Sequence, residues 1–162
     1  MIRPATPQDA AAIAQIYNYY VRDTIVTFEE DEVPVEDMAA RIAETQAGGL
    51  PWIVFDEDGA VVGYASASRW KARSAYRFAV ESSVYLAPQA VGRGIGSQLY
   101  EVLFTQLKVR GMHAVIGGIS LPNPASVALH EKFGMAPIGC FREVGFKFGQ
   151  WVDVGYWQAK LQ

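Results

Sequence analysis

Three glycines at alternate positions, Gly92, Gly94 and Gly96, enclose Arg93 in the stretch PQAVGRGIGSQLY, which runs from Pro88 to Tyr100. The apolar run FAVESSVYL precedes it and LYEVLFTQL follows, so the glycines lie between a strand pattern and a helix pattern. A strand, a glycine-rich turn and a helix start together make an anion cradle. Free N–H groups and the positive end of the helix dipole point at one place. Glycine lets the backbone approach a ligand closely, and an arginine adds charge-assisted hydrogen bonds. The chemistry is phosphate binding. The two commonest nucleotide loops do not fit it. A P-loop requires a lysine directly after its last glycine, and none follows here. A dinucleotide turn reads Gly-x-Gly-x-x-Gly, with an acidic residue about 20 positions later. Here the spacing is Gly-x-Gly-x-Gly, in mid-chain, and no carboxylate lies around Met112.

Other residues could do chemistry on either side of the loop. Glu81 interrupts an otherwise apolar strand. A carboxylate there can take a proton directly or through one water, and burial raises its pKa toward a useful value. His130 stands in LHEKFGM and titrates near neutrality, so it suits an acid or a second base. Lys71 and Arg73 precede the Glu81 strand, where an arginine fork matches a carboxylate, and Tyr76 adds a hydroxyl. Asn123-Pro124 reads as a helix N-cap followed by proline at the first helical position. His113 opens a strand and carries no motif. Cys140 is the one cysteine of the chain, which excludes an internal disulfide and a cysteine-built zinc site. With no base beside it in sequence, it is expected to be a small buried hydrophobe.

These residues need elements to hold them. The length of 162 residues predicts one domain, residues 1–162, large enough to bury a core unaided. Ile2–Pro4 predicts a short lead-in strand. Thr6, Pro7 and Asp9 then signal a helix start, and Ile13, Ile16, Tyr17 and Tyr20 follow at helical spacing. The acidic run from Glu29 to Asp37 reads as a solvated loop and helix start, not a metal site. A second helix is expected from Val35 to Ala47, ended by Gly48-Gly49. WIVF and AVVGYASAS are strands joined through the hairpin signal Asp58-Gly59, and YRFAVESSVYL is another strand. Gly96 to Arg110 predicts a helix with Leu99, Val102, Leu103, Phe104 and Leu107 as its buried stripe. A strand, a short helix and two long strands joined near Gly149 complete an order close to βααββββαβαββ. This is an α/β (α+β mixed) layer fold.

The totals narrow the function classes. The net charge of −3 offers no basic stripe for a nucleic acid or an anionic membrane. The first residues lack a signal-peptide pattern, and no apolar run approaches the ~20 residues of a membrane span, so a cytoplasmic protein is expected.

Gln89-x-x-Gly92-x-Gly94, after a strand and at the head of a helix, resembles the acyl-CoA signature of the GNAT superfamily of N-acetyltransferases. LPNPASVALHEKFGM resembles the second motif of that superfamily, with His130 where a tyrosine usually protonates the leaving thiolate. The closer resemblance, over nearly the whole chain, is to the phosphinothricin and methionine sulfoximine/methionine sulfone acetyltransferases. PWIV, WKARSAYRFAVESSVYL, GRGIGSQLY, LPNPAS, LHEKFGM and GFKFGQWVDVGYWQ carry it, and in that group a histidine replaces the tyrosine.

The resemblance implies a GNAT-type fold with a mixed, mostly antiparallel sheet flanked by helices, and acetyl-CoA as donor without a metal. The acceptor it implies is the α-amine of a small amino acid such as phosphinothricin, methionine sulfoximine or methionine sulfone. It assigns Glu81 and His130 to catalysis, and the backbone N–H near Val84 to the thioester carbonyl. Tyr85, Leu86, Gly92, Arg93, Gly94, Ile95, Gly96 and Ser97 would hold the rest of the donor, with Asn123 on its pantetheine arm. Lys71, Ala72, Arg73, Tyr76, Ser82 and Ser83 would meet the amino acid beside Glu81. Phe28 and the loop bearing Lys147 and Phe148 would wall the pocket, the loop reaching in from a second subunit. Phe146, Phe148, Trp151 and Trp157 would otherwise form an exposed patch, which favours a homodimer. A different small amine, a protein amino terminus or a CoA-binding sensor are the rival readings, although a sensor needs neither Glu81 nor His130.

Overall fold

The structure is a computed structural model that describes residues 1–161. Strand β1 (Ile2–Pro4) leads through a 3-10 turn into helix α1 (Ala10–Asp23), followed by α2 (Val35–Ala47). The antiparallel strands β2 (Trp52–Glu57), β3 (Ala60–Arg69) and β4 (Ala79–Leu86) precede α3 (Ile95–Val109). Strand β5 (Ala114–Leu121), α4 (Pro124–Lys132), β6 (Ala136–Lys147) and β7 (Gln150–Lys160) complete the chain. Three strands, not four, separate α2 from α3, because Trp70–Phe78 forms a loop with one 3-10 turn.

All seven strands join one sheet in the order β1-β2-β3-β4-β5-β7-β6. Every neighbouring pair is antiparallel except β4 and β5. Those two pair only at Ala79↔Ala114, Val80↔Val115 and Glu81↔Ile116. Beyond Glu81 they part, β4 continuing beside β3 and β5 beside β7. The parting opens a cleft in the middle of the sheet, and its apex is Glu81.

The local signals act as their chemistry requires. The Asp58-Gly59 turn has both residues at positive φ, 52° and 90°, as a tight hairpin with the native strand twist demands. Asp9 accepts the Thr6 N–H at 2.7 Å, and the Arg3 guanidinium holds its carboxyl below the usual range. The α3 stripe buries Leu99, Leu103, Phe104 and Leu107 together with Tyr100, which the periodicity alone did not single out. Helix α1 covers one sheet face, where Tyr17 and Tyr20 meet Tyr85 edge-on. Helix α3 covers the other, where Tyr100 meets Ser82. Alternation along β4 therefore puts Ser82 and Val84 toward α3, and Glu81, Ser83 and Tyr85 toward the opposite face.

The outer strand β6 departs from expectation. Its residues from Ala136 to Val144 are exposed, and Cys140 with them, so the cysteine is not a buried hydrophobe. An edge strand with no third layer over it has nothing to bury against. Trp157, one of the four aromatics expected in an exposed patch, is instead buried in β7, with its indole N–H donating to Glu131 at 3.3 Å.

Candidate active site

The cleft between β4 and β5 holds a cavity of about 460 Å³. Glu81, Ser82, Ser83, Val84 and Tyr85 enter it from β4, Gly118, Ile119 and Ser120 from β5, and Asn123, Ser126 and His130 from α4 and its approach. Phe28 closes it from the α1–α2 loop, and Phe141 and Tyr156 from β6 and β7.

Glu81 is half-buried, with no hydrogen-bond partner among the described residues. Burial pushes its carboxyl above the ordinary carboxylate value, and the nearby Lys71 charge partly offsets this. The carboxylate is therefore more basic than a solvated one.

His130 is buried, and burial holds its imidazole below the ordinary histidine value, leaving it neutral near pH 7. Its Nδ1 lies 2.6 Å from the Ser126 carbonyl, which only accepts, so Nδ1 carries the proton. Its Nε2 lies 3.2 Å from the Tyr100 hydroxyl. The Tyr100 hydroxyl in turn lies 3.1 Å from Ser82 Oγ. Gly117 makes the room: a Cβ there would come within 2.5 Å of the imidazole. Gly145 does the same for Phe28, whose ring a Cβ would meet at 2.3 Å.

The glycine loop stands at the head of α3. Gly92 and Gly94 adopt φ of 81° and 77°, a backbone that side chains rarely take, and the space where their Cβ atoms would stand is open. The first turn of α3 turns the N–H groups of Ile95, Gly96 and Ser97 outward with no acceptor within the helix. That is a fitting cradle for pyrophosphate. The Arg93 guanidinium forms an exposed ion pair with Glu57 across the loop, so a phosphate must draw it away from that partner. A second cation, unforeseen in the sequence, stands at the loop. Lys132 of α4 donates to Ser97 Oγ at 3.1 Å. Asn123 caps α4, its Oδ1 accepting the Ser126 N–H at 3.2 Å while it lines the cavity.

Other anticipated residues lie elsewhere. Lys71, Ala72, Arg73 and Tyr76 occupy the exposed loop before β4, where Lys71 approaches Glu81 closely enough to affect its acidity. Lys147 does not line the cavity. It is buried, and its ammonium donates to the Thr27 carbonyl at 2.8 Å, tying the β6–β7 hairpin to the loop that carries Phe28. Phe148 sits at the hairpin tip, 58% exposed. Among the described residues no cluster of three histidine, cysteine or carboxylate side chains could hold a metal ion. Nor is any helix among them long and apolar enough to cross a membrane.

Comparison with known proteins identifies the family. The family of acetyltransferase (GNAT) domains matches residues 2–155. The phosphinothricin N-acetyltransferase of Streptomyces viridochromogenes is 41% identical, covering 99% of this chain and 87% of its own. The L-methionine sulfoximine/L-methionine sulfone acetyltransferase of Salmonella typhimurium is 36% identical, covering 99% and 94%. The crystal structure of a GNAT superfamily phosphinothricin acetyltransferase from Sinorhizobium meliloti, in complex with acetyl-CoA, superimposes with a TM-score of 0.96 at 38% identity. That match covers 99% of this chain and 88% of the other. With a split sheet, a glycine cradle at the helix head and relatives matched end to end, the chain belongs to the GNAT family of acetyl-CoA-dependent N-acetyltransferases.

Proposed function

We propose that this protein transfers the acetyl group of acetyl-CoA to the α-amine of a small amino acid of the phosphinothricin, methionine sulfoximine or methionine sulfone type. The observation that carries the proposal is the placement of Glu81. It is a half-buried carboxylate of raised basicity, unpaired among the described residues, where β4 and β5 part, in a chain that also carries a glycine cradle at the head of α3.

In this reading the glycine loop and Lys132 hold the pyrophosphate, and Asn123 meets the pantetheine arm. Glu81 takes the proton from the substrate ammonium, whose ordinary pKa near 8 or above leaves it unable to attack at neutral pH. The Val84 N–H, beside the parted edge of β4, stabilises the developing oxyanion. Lys71 and Arg73 offer charge for an α-carboxylate on the side from which the amine enters. Direct transfer between two bound substrates needs no covalent enzyme intermediate, and proximity supplies much of the rate.

The protein works in the cytoplasm, where its donor is made, and as a homodimer joined through the apolar face of β6 and β7. Acetylation removes the free amine of an amino-acid antimetabolite, so resistance to such compounds is a consequence of the same reaction. A thiol-release assay with acetyl-CoA tests the assignment against methionine sulfone, methionine sulfoximine, phosphinothricin, common amino acids, polyamines and a peptide amino terminus. Turnover is expected with the first three. Turnover only with polyamines or the peptide overturns the acceptor, and silence across the panel with tight acetyl-CoA binding makes the protein a sensor.

A further inference from the structure

A histidine that donates its Nδ1 proton to a carbonyl has only one way to exchange protons with a reaction, through Nε2. Here His130 lines the cavity together with Tyr100, and its Nε2 has one hydrogen-bond partner among the described residues. That partner is the hydroxyl of Tyr100, a residue wholly buried in α3. Because Nδ1 is the donor to Ser126, neutral His130 accepts at Nε2, and the Tyr100 hydroxyl must be the donor. The Tyr100 oxygen then accepts from Ser82 Oγ–H. Both bonds are thereby polarised in one direction. Ser82, next to Glu81 on β4, lines the cavity with Tyr100, so the chain of hydroxyls ends on the cavity wall.

We propose that Tyr100 is a proton relay, the positioning residue through which His130 exchanges a proton with the reacting atoms, with Ser82 as the outlet. The inference rests on the acetyl-transfer reading above. When the amine nitrogen attacks the thioester carbonyl carbon, the new C–N bond leaves an extra proton on nitrogen. That proton passes to Ser82 Oγ as the Ser82 proton moves to Tyr100 and the Tyr100 proton moves to His130 Nε2. The C–S bond then breaks, the sulfur keeps its electron pair, and the chain runs in reverse to put the proton on sulfur. The products are amide and thiol, with His130 and both hydroxyls restored. Glu81 has the separate task of taking the first ammonium proton and passing it to solvent.

The surroundings of His130 suit this. Helix α3 faces it with Tyr100, which β4 meets through Ser82; burial, with a smaller contribution from the Glu81 charge, makes Tyr100 harder to ionise. Strand β5 faces it with Gly117, and Met135 packs alongside. On its own helix it contacts Ser126, while Glu131 engages Trp157 and Lys132 engages Ser97. Burial favours a neutral imidazole, so a proton it receives is readily returned.

The test compares Tyr100→Phe, His130→Gln and the double variant by kcat, the KM values of both substrates and the pH dependence of kcat. Tyr100→Phe keeps the ring and removes only the hydroxyl. The expected result is at least a tenfold fall in kcat in each single variant, with both KM values within about threefold. The double variant should fall no further than the more impaired single one, as residues acting as one unit do. Any inflection of the kcat profile that His130→Gln removes should be missing from the Tyr100→Phe profile too, while the acidic limb of Glu81 stays in both. A Tyr100→Phe enzyme with wild-type kcat and pH profile, or losses that multiply in the double variant, overturns the relay while leaving acetyl transfer standing. A wild type that releases no thiol overturns both. If Tyr100→Phe fails to fold, Ser82→Ala carries the same comparison, with the same non-additivity against His130→Gln expected and full multiplication overturning the relay.

Discussion

At the scale of the residue, the candidate chemistry rests on two groups that burial moves in opposite directions. Burial raises Glu81 and lowers His130, so near pH 7 one cavity is lined by a strengthened carboxylate base and a neutral imidazole. A base must be ionised to act. The rate is therefore lost as pH falls through the raised Glu81 value, and the acidic limb of kcat/KM lies above the ~4.3 of an ordinary glutamate. Glu81→Gln should lower kcat by about 10²–10⁴ and spare acetyl-CoA affinity. A kinetic pH series with isothermal titration checks both, and a near-normal kcat removes Glu81 as base. The stability sign is opposite. A carboxyl raised by folding stabilises the native state at low pH, and that contribution is lost as pH rises through the folded value. Glu81→Gln should thus raise Tm at pH 7 while lowering turnover, a separation that calorimetry and the kinetic series read together. Both groups were legible as residue types, because a glutamate in an apolar strand and a histidine in a helix motif stand out. Tyr100 and Lys132 were not. Their roles come from partners 18 to 35 positions away, Ser82, His130 and Ser97, and no local pattern records such meetings.

At the scale of the element, the cleft exists because β4 and β5 pair for three residues and then follow different neighbours. Periodicity identified the strands, the α3 stripe and the Asp58-Gly59 hairpin, since each is written in residues close in sequence. The parting of β4 from β5 is a matter of sheet order, and so is the exposure of Cys140 on an edge strand. Sequence alternation does not encode either. Two glycines join the elements to the chemistry and can be tested separately. Gly94 begins α3 in a left-handed conformation with open space around it. Gly94→Ala should cost about 1–2 kcal/mol, a fall of roughly 2–8 °C in Tm, and raise the KM of acetyl-CoA before it changes kcat. Gly117 is tight, with the His130 ring at 2.5 Å from a hypothetical Cβ. Gly117→Ala should displace that ring, lowering kcat while acetyl-CoA binding persists. Steady-state kinetics on the pair distinguishes a donor cradle from an imidazole seat, and identical kinetic defects would contradict the division.

At the scale of the whole molecule, the apolar surface is not spread evenly. Ile138, Phe141, Val144, Phe146, Phe148 and Trp151 are each more than half exposed, and all six lie on β6, on β7 or at the tip between them. The rings of Phe146 and Trp151 meet at 4.8 Å across the two strands, so the patch is built as a surface and not scattered. Contiguous apolar area of this kind marks an interface, and a two-fold pairing of like chains satisfies it with one surface. Phe141 and Val144 also line the candidate cavity, so the strand proposed as the interface shapes one of its walls. Lys147 ties this hairpin to the loop that carries Phe28, so disturbance of the interface reaches a second cavity wall. The combined variant Phe146→Asp, Trp151→Asp should sediment as a monomer where the wild type sediments as a dimer. Its KM for the amine should rise several-fold while its affinity for acetyl-CoA, assigned to the glycine loop of α3, changes little. A monomeric wild type in analytical ultracentrifugation sinks the dimer. A monomeric variant with unchanged amine KM leaves the dimer in place but separates it from the acceptor site.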